Sequence, residues 1–197
     1  MGQWQCAVEG LVTPVTFTET ALHGAMIVEM EKRSDDRGFF ARAFCAREMA
    51  AIGLNPDTVQ INVSYNKDKG TLRGMHYQVA PATETKLVRC TRGAILDVII
   101  DMRPDSSTYC QYIKVELTAD NHRALYVPAM FAHGYITLTD DAEICYVVSE
   151  YYTPSCERGA RWDDPAFGIE WPLEPVGMSG KDANWPLMSE RNTESPQ

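Results

Sequence analysis

The 197-residue chain predicts an all-β fold, a sandwich or barrel with helix in the minority, and three observations carry that prediction. From Thr71 onward, apolar runs of strand length alternate with polar or turn-forming segments. In "QYIKVEL", Ile113, Val115 and Leu117 alternate with Tyr112, Lys114 and Glu116, the period of two that gives a strand one apolar face. Helix signals converge before the C-terminal region only in "CAREMAAIGL", Cys45 to Leu54, where good helix formers precede Gly53, a residue suited to closing a helix.

The remaining strands follow the same rhythm: "KLVRCTR", "AILDVIID", "RALYVP", "YITLTD" and "EICYVVSEYY". Turn residues separate them in "TRG" (91–93), "MRPDSS" (102–107), "TADN" (118–121), "PAMFAHG" (128–134) and "TDDAE" (139–143). Beyond Tyr152 the chain is rich in Pro, Gly and Asp and predicts ordered loop. Its aromatics Tyr151, Tyr152, Trp162 and Trp171 are expected to pack it onto the barrel. No repeat or low-complexity segment interrupts the pattern. The expected organisation is a flexible N-terminal extension over 1–16, one domain over 17–187 and a disordered tail over 188–197.

Composition narrows the function. The charged fraction of 23% and the hydrophobic fraction of 45% are those of a globular protein. The formal net charge of −9 argues against a nucleic-acid partner, although a few placed cations can still build a local anion site. No segment approaches the roughly 18 apolar residues of a membrane span, so no membrane partner is expected and the chain reads as cytoplasmic. The six cysteines, at 6, 45, 90, 110, 145 and 156, form no C-x-x-C pair and read as small buried hydrophobes of a reducing compartment.

Four histidines are present, and two of them, His76 in "LRGMHYQ" and His133 in "FAHGY", sit beside glycine at expected strand ends, where function concentrates. A β-barrel metal site needs two or three histidines with a carboxylate. His76 is followed by Tyr77 and Gln78, so neither a metal nor a cofactor is expected. On a regular strand Arg73 and His76 face opposite sides. Gly74 between them allows a bulge that turns both side chains into one cavity. Lys86 reads either as a strand-edge lysine or as a cation for a developing oxyanion. Tyr146 shares a face with Ile144 and Val148 and reads equally as core or as a buried hydroxyl meeting a ligand.

Taken together, "DDRGFF", "GTLRGMHYQ", "KLVRCTRGAILDVIIDMR", "VPAMFAHGY", "YYTPSCERGARWDDPAFGIEWP" and "SGKD" occur in an order and spacing that resemble the dTDP-4-dehydrorhamnose 3,5-epimerases, over about Phe17 to Asp182. The resemblance implies a cupin jelly-roll β-barrel with a few short helices, a homodimer, and a nucleotide-diphosphate sugar as substrate. It implies epimerisation at C3 and C5 of dTDP-4-dehydro-6-deoxy-D-glucose. The alternatives are a related epimerase inverting one centre or using a GDP- or CDP-linked sugar and, more remotely, a metal-binding oxygenase or a non-catalytic sugar-binding cupin. Carried over by position, His76 is the base, Asp182 its partner, Lys86 the enolate-stabilising cation and Tyr146 the proton donor. Arg37, Arg42, Gln60, Asn62, Arg73, His133, Glu157 and Lys181 fall in the binding region, and Phe39, Phe40 and Tyr152 are candidates to stack on the ligand. Arg37 and Arg73 suit a diphosphate. The chain departs from the family pattern at Arg42, Val63 and Val147, where a carboxylate, a His and a Lys are common; all three are expected near binding positions.

Overall fold

The computed structural model describes Gln3–Gln5 and residues 14–191. In chain order the strands are β1 (Gln3–Gln5), β2 (Val15–Glu19), β3 (Met26–Met30), β4 (Arg33–Asp35), β5 (Gly38–Phe40), β6 (Gln60–Asn66) and β7 (Leu72–Gln78). They continue as β8 (Lys86–Arg92), β9 (Ala94–Asp101), β10 (Tyr112–Thr118), β11 (Ala124–Val127), β12 (Phe131–Thr137), β13 (Ala142–Val148) and β14 (Glu157–Gly159). Three short α-helices join them: α1 (Ala46–Ala51), α2 (Gly180–Ala183) and α3 (Met188–Arg191). The bounds of β8 and β9 match the sequence reading residue for residue: each carries a buried apolar run, with Val88 and Cys90 on β8 and Ile95, Val98, Ile99 and Ile100 on β9, and Gly93 separates them.

A seven-stranded sheet in the order β1-β2-β3-β11-β8-β13-β6 faces a five-stranded sheet in the order β10-β9-β12-β7-β14, and β4 and β5 form a separate hairpin. All the strand pairings are antiparallel. This is the expected jelly-roll barrel. Between the sheets lies an apolar cluster that includes Val88, Ile95, Ile99, Leu117, Leu125, Phe131 and Ile144. Helix α1 covers part of the outer face of the seven-stranded sheet, with Met49 packed on Phe17, Val28, Leu87 and Tyr126. The loop after β14 covers the other sheet through Phe167, Ile169 and Trp171.

Several expectations are redrawn. Strand β12 begins at Phe131, so the second half of the expected turn at 128–134 is strand; as a result His133 and His76 lie inside strands and face each other as register partners. Trp171 packs down as expected, but Tyr151 and Tyr152 are each 59% exposed. Gln3–Gln5 pairs with β2, which itself starts at Val15, within the expected extension; residues 6–13 lie outside the described residues. Helix α3 occupies the start of the expected tail, and residues 192–197 lie outside the described residues.

The local feature that sets the site is the bulge at Gly74. Between β7 and β12 the partners step from His133↔His76 to Tyr135↔Arg73, so three steps on β7 are matched by two on β12. Gly74 takes φ +127, and a Cβ there would lie 2.5 Å from Gly134 Cα and 2.8 Å from His133 O. Gly134 has no room either: its Cβ would meet Met75 Sδ at 2.5 Å. Two glycine backbones therefore pass at a separation that no side chain permits. Gly74→Ala adds a clash to an unfavourable φ and is expected to cost roughly 2–4 kcal/mol, read as a lower urea midpoint at constant slope.

Candidate active site

Polar side chains gather inside the barrel where β6, β13 and β8 face β7 and β12. A cavity of about 350 Å³ there is lined by Gln60, Asn62, His76, Glu84, Lys86, Tyr146, Glu150, Tyr152 and Glu157, among others. A second cavity of about 220 Å³ shares His76, Lys86 and Tyr146 and adds Ser64, Arg73, His133, Tyr135 and Asp182. Because of the bulge, Arg73 and His76 reach the same interior, as the glycine between them allowed.

His76 Nε2 lies 2.7 Å from Asp182 Oδ1. The second oxygen of Asp182 accepts the Gly74 N–H at 3.4 Å, and Ser179 Oγ accepts the Asp182 N–H at 3.0 Å, which caps α2. Burial alone would raise the Asp182 carboxyl. The bond to His76 and its charge, with the Gly74 amide and Ser179, outweigh that and hold it below the usual carboxylate range. An ionised carboxylate only accepts, so Nε2 donates to Asp182, and in the neutral imidazole Nδ1 then holds the lone pair that a base needs.

Across the interior, on the other sheet, stands Tyr146. Burial is the main cause that raises its phenol, the Glu84 charge adds to it, and Arg73 opposes both. The phenol is thus fully protonated through neutral pH and able to donate. Lys86 is 9% exposed; its Nζ binds Glu84 Oε1 at 2.7 Å and approaches His76 O at 3.5 Å. The strand-edge reading of Lys86 is therefore set aside: it opens β8 but points into the barrel.

Two further arrangements fix the walls. His133 Nε2 lies 2.7 Å from Oδ1 of the fully buried Asp97, whose Oδ2 has no hydrogen-bond partner among the described residues. Arg73 Nε donates to Asn66 Oδ1 at 2.7 Å, and Asn66 also donates to Tyr135 Oη, which pairs with Ser64 at 2.8 Å. At the rim, Glu157 Oε2 accepts from Lys181 Nζ at 2.5 Å and from Tyr152 Oη at 2.7 Å. Burial would raise Glu157, but Lys181 and Tyr152 hold it lower.

Both histidine Nε2 atoms are thus turned to carboxylates, and no group of three or more His, Cys, Asp or Glu able to hold a metal occurs among the described residues.

Not every expected binding residue lies here. Arg37 sits on the exposed β4–β5 hairpin, bonded to Asp35, with Phe39 and Phe40 beside it, and lines neither cavity. Arg42 reaches the fully buried Glu48 at 3.3 Å, whose other oxygen accepts the Val15 N–H at 2.8 Å; it ties α1 to the sheet. Val63 is 64% exposed and Val147 packs against the α1 cluster, both on the outer face of their strands. These two departures were expected near the ligand, and the alternation of strand faces places them outside.

Sequence reasoning missed Glu84, Asp97, Glu150 and the Ser64–Asn66–Tyr135 network. Asp97 did carry a signal, an acid in the inward register of the apolar run "AILDVIID". Glu84, in a Thr-rich loop, carried none.

With the geometry in place, the comparisons with known proteins are direct. The family model described as dTDP-4-dehydrorhamnose 3,5-epimerase matches residues 19–190. The enzyme of that name from Sinorhizobium fredii is 40% identical over 179 residues, covering 88% of this chain and 90% of its own. A crystal structure of the enzyme of that name from Bacillus anthracis, with TDP and pyrophosphate bound, superposes with a TM-score of 0.85 at 40% identity, covering 88% of this chain and 99% of its own. A crystal structure of a dTDP-6-deoxy-D-glucose-3,5-epimerase from Legionella pneumophila, in complex with dTDP-4-keto-L-rhamnose, gives 0.82 at 37% identity, covering 89% of this chain and 93% of its own. No helix among the described residues is long and apolar enough to cross a membrane. A matched model spanning nearly the whole chain, relatives at this identity and a shared barrel place the chain in the dTDP-4-dehydrorhamnose 3,5-epimerase family.

Proposed function

We propose that this chain inverts C3 and C5 of dTDP-4-dehydro-6-deoxy-D-glucose to give dTDP-4-dehydro-L-rhamnose. The observation that carries the reading is His76 on one sheet, paired with Asp182 of α2 and facing Tyr146 on the other sheet, with Lys86 lining both cavities that His76 and Tyr146 share. The C4 ketone of such a sugar acidifies the protons on C3 and C5. His76 Nδ1 removes one of them, and the pair of electrons moves onto the C4 oxygen as an enolate. Lys86, a cation fixed in the wall of both cavities, meets that oxyanion. Tyr146 then returns a proton to the opposite ring face, and configuration inverts. A base and an acid on opposed walls are what inversion by proton transfer requires.

In deuterium oxide the chain is expected to place deuterium at both C3 and C5. His76→Ala lowers the exchange rate on the order of 10²- to 10⁴-fold, the usual contribution of a general base. Full exchange in that variant sinks the assignment, and label at one carbon alone reduces the activity to a single inversion.

Glu84 supplies a pH test. Its carboxylate adds to the rise in the Tyr146 phenol, so Glu84→Gln removes a cause that keeps Tyr146 protonated. The alkaline limb of the kcat profile, where the donor is lost, is expected to move to lower pH. A limb that stays in place removes Tyr146 or Glu84 from the proton-transfer scheme.

We further propose that the enzyme is a homodimer and that Arg37 serves the partner's cavity. Edge strand β6 turns Gln60, Asn62 and Ser64 inward and leaves Ile61 and Val63 each 64% exposed, with Tyr65 at 49%. An apolar stripe on an open sheet edge calls for a cover. Light scattering is expected to give twice the 22.1 kDa of the chain. Arg37→Ala is expected to raise KM on the order of ten-fold with the dimer intact, as loss of a charged hydrogen bond does. A monomeric, fully active enzyme refutes both statements.

A further inference from the structure

On an antiparallel ladder, directly opposed residues project to the same face. His76 on β7 is opposed by Gly159 on β14, so β14 puts no side chain directly opposite the imidazole. The space is filled from elsewhere. The indole of Trp185 lies flat on Gly159, so close that an added Cβ would fall 2.0–2.4 Å from ring atoms Cε2, Cδ2 and Nε1. The same indole meets the His76 ring in an edge-to-face contact, with centroids 6.0 Å apart and an interplanar angle of 67°. Lys181 Nζ sits 5.6 Å from its centroid, and Lys181 is itself held by Glu157. One short segment therefore delivers Asp182 to His76 Nε2 and, three residues later, a wedge against the same ring.

We infer that Trp185 is a positioning residue for His76: seated on Gly159, its indole limits rotation of the imidazole and keeps Nε2 on Asp182. The inference rests on the reading of His76 as the base. The imidazole needs such support, because its side chain is 34% exposed beside an open cavity and is otherwise tied by a single hydrogen bond. Packing is the operative contact. Trp185 Nε1 is buried with no hydrogen-bond partner among the described residues, so the indole N–H contributes nothing that a phenyl ring would lose.

The test uses the full chain with Trp185→Leu, Trp185→Phe and Gly159→Ala, and His76→Asn as reference, assayed well below each unfolding midpoint. Trp185→Leu is expected to lower kcat on the order of 10- to 100-fold, the scale of a misplaced catalytic group, with KM little changed. It should also lose the downfield proton resonance of the carboxylate-bound His76 N–H. Trp185→Phe should retain most of both. If Trp185→Leu does not fold, Gly159→Ala, which keeps the indole and only displaces it, reads the same two quantities. Unchanged kcat and a sharp resonance in Trp185→Leu, with only its melting point reduced, would make Trp185 an anchor of the C-terminal segment and overturn the inference. Equal damage from Phe and Leu overturns it as well. A fully active His76→Asn instead removes the base assignment, and the resonance in the Trp185 variants still decides whether the indole orients the ring.

Discussion

The approach of two glycine backbones, Gly74 on β7 and Gly134 on β12, is the constraint on which the interior depends. It lets β7 carry one more residue than its partner between two register points, so an odd spacing in sequence becomes a shared face in space. Without the bulge, either Arg73 or His76 would point out of the barrel. The same turn of chain offers the Gly74 N–H to Asp182, so the element that aims the base also helps hold the carboxylate that orients it. One piece of local geometry thereby fixes three of the groups around the site.

A second constraint follows from gathering so many charges in the interior and at the mouth of one barrel. A lone buried charge is costly, and the charged groups here meet polar partners: His76 with Asp182, His133 with Asp97, Lys86 with Glu84, Lys181 with Glu157, Arg73 with Asn66. These pairings are made between groups of the chain itself, so the walls are ordered before any ligand arrives. Such fixed polar groups need little reorganisation when charge develops on a substrate oxygen. The unpartnered oxygen of Asp97 departs from this pattern, and its environment is unlike that of the Asp182 carboxylate, where both oxygens are bonded.

Legibility in the sequence followed the sheets. β8 and β9 could be bounded to the residue because each carries a buried apolar run and Gly93 breaks the chain between them. Strand β6, "QINVSYN", alternates with a period of two, but in the inverse sense: its apolar residues face out and its amides face the cavity. A rule that puts apolar faces inside misreads such a strand, and only motif resemblance pointed to Gln60 and Asn62. Asp182 was beyond any local pattern, since it meets His76 across 106 residues of chain. The bulge, in contrast, was readable from a single glycine between Arg73 and His76, because no other residue tolerates that backbone.

The three departures from the family pattern acquire a common meaning from where they fall. Arg42 is committed to Glu48 beneath α1, Val147 packs against the same outer cluster, and Val63 lies exposed on the edge strand. None lines the cavities that hold His76, Lys86 and Tyr146. Differences at these positions therefore act on the outer face of the seven-stranded sheet, the face left uncovered at β6. In the proposed homodimer that face is where a second chain packs and where its Arg37 hairpin would enter. On that reading the chemistry of proton transfer is insulated from the departures. In that proposed dimer, any influence they exert on which nucleotide sugar is held would pass through the fit of one subunit against another.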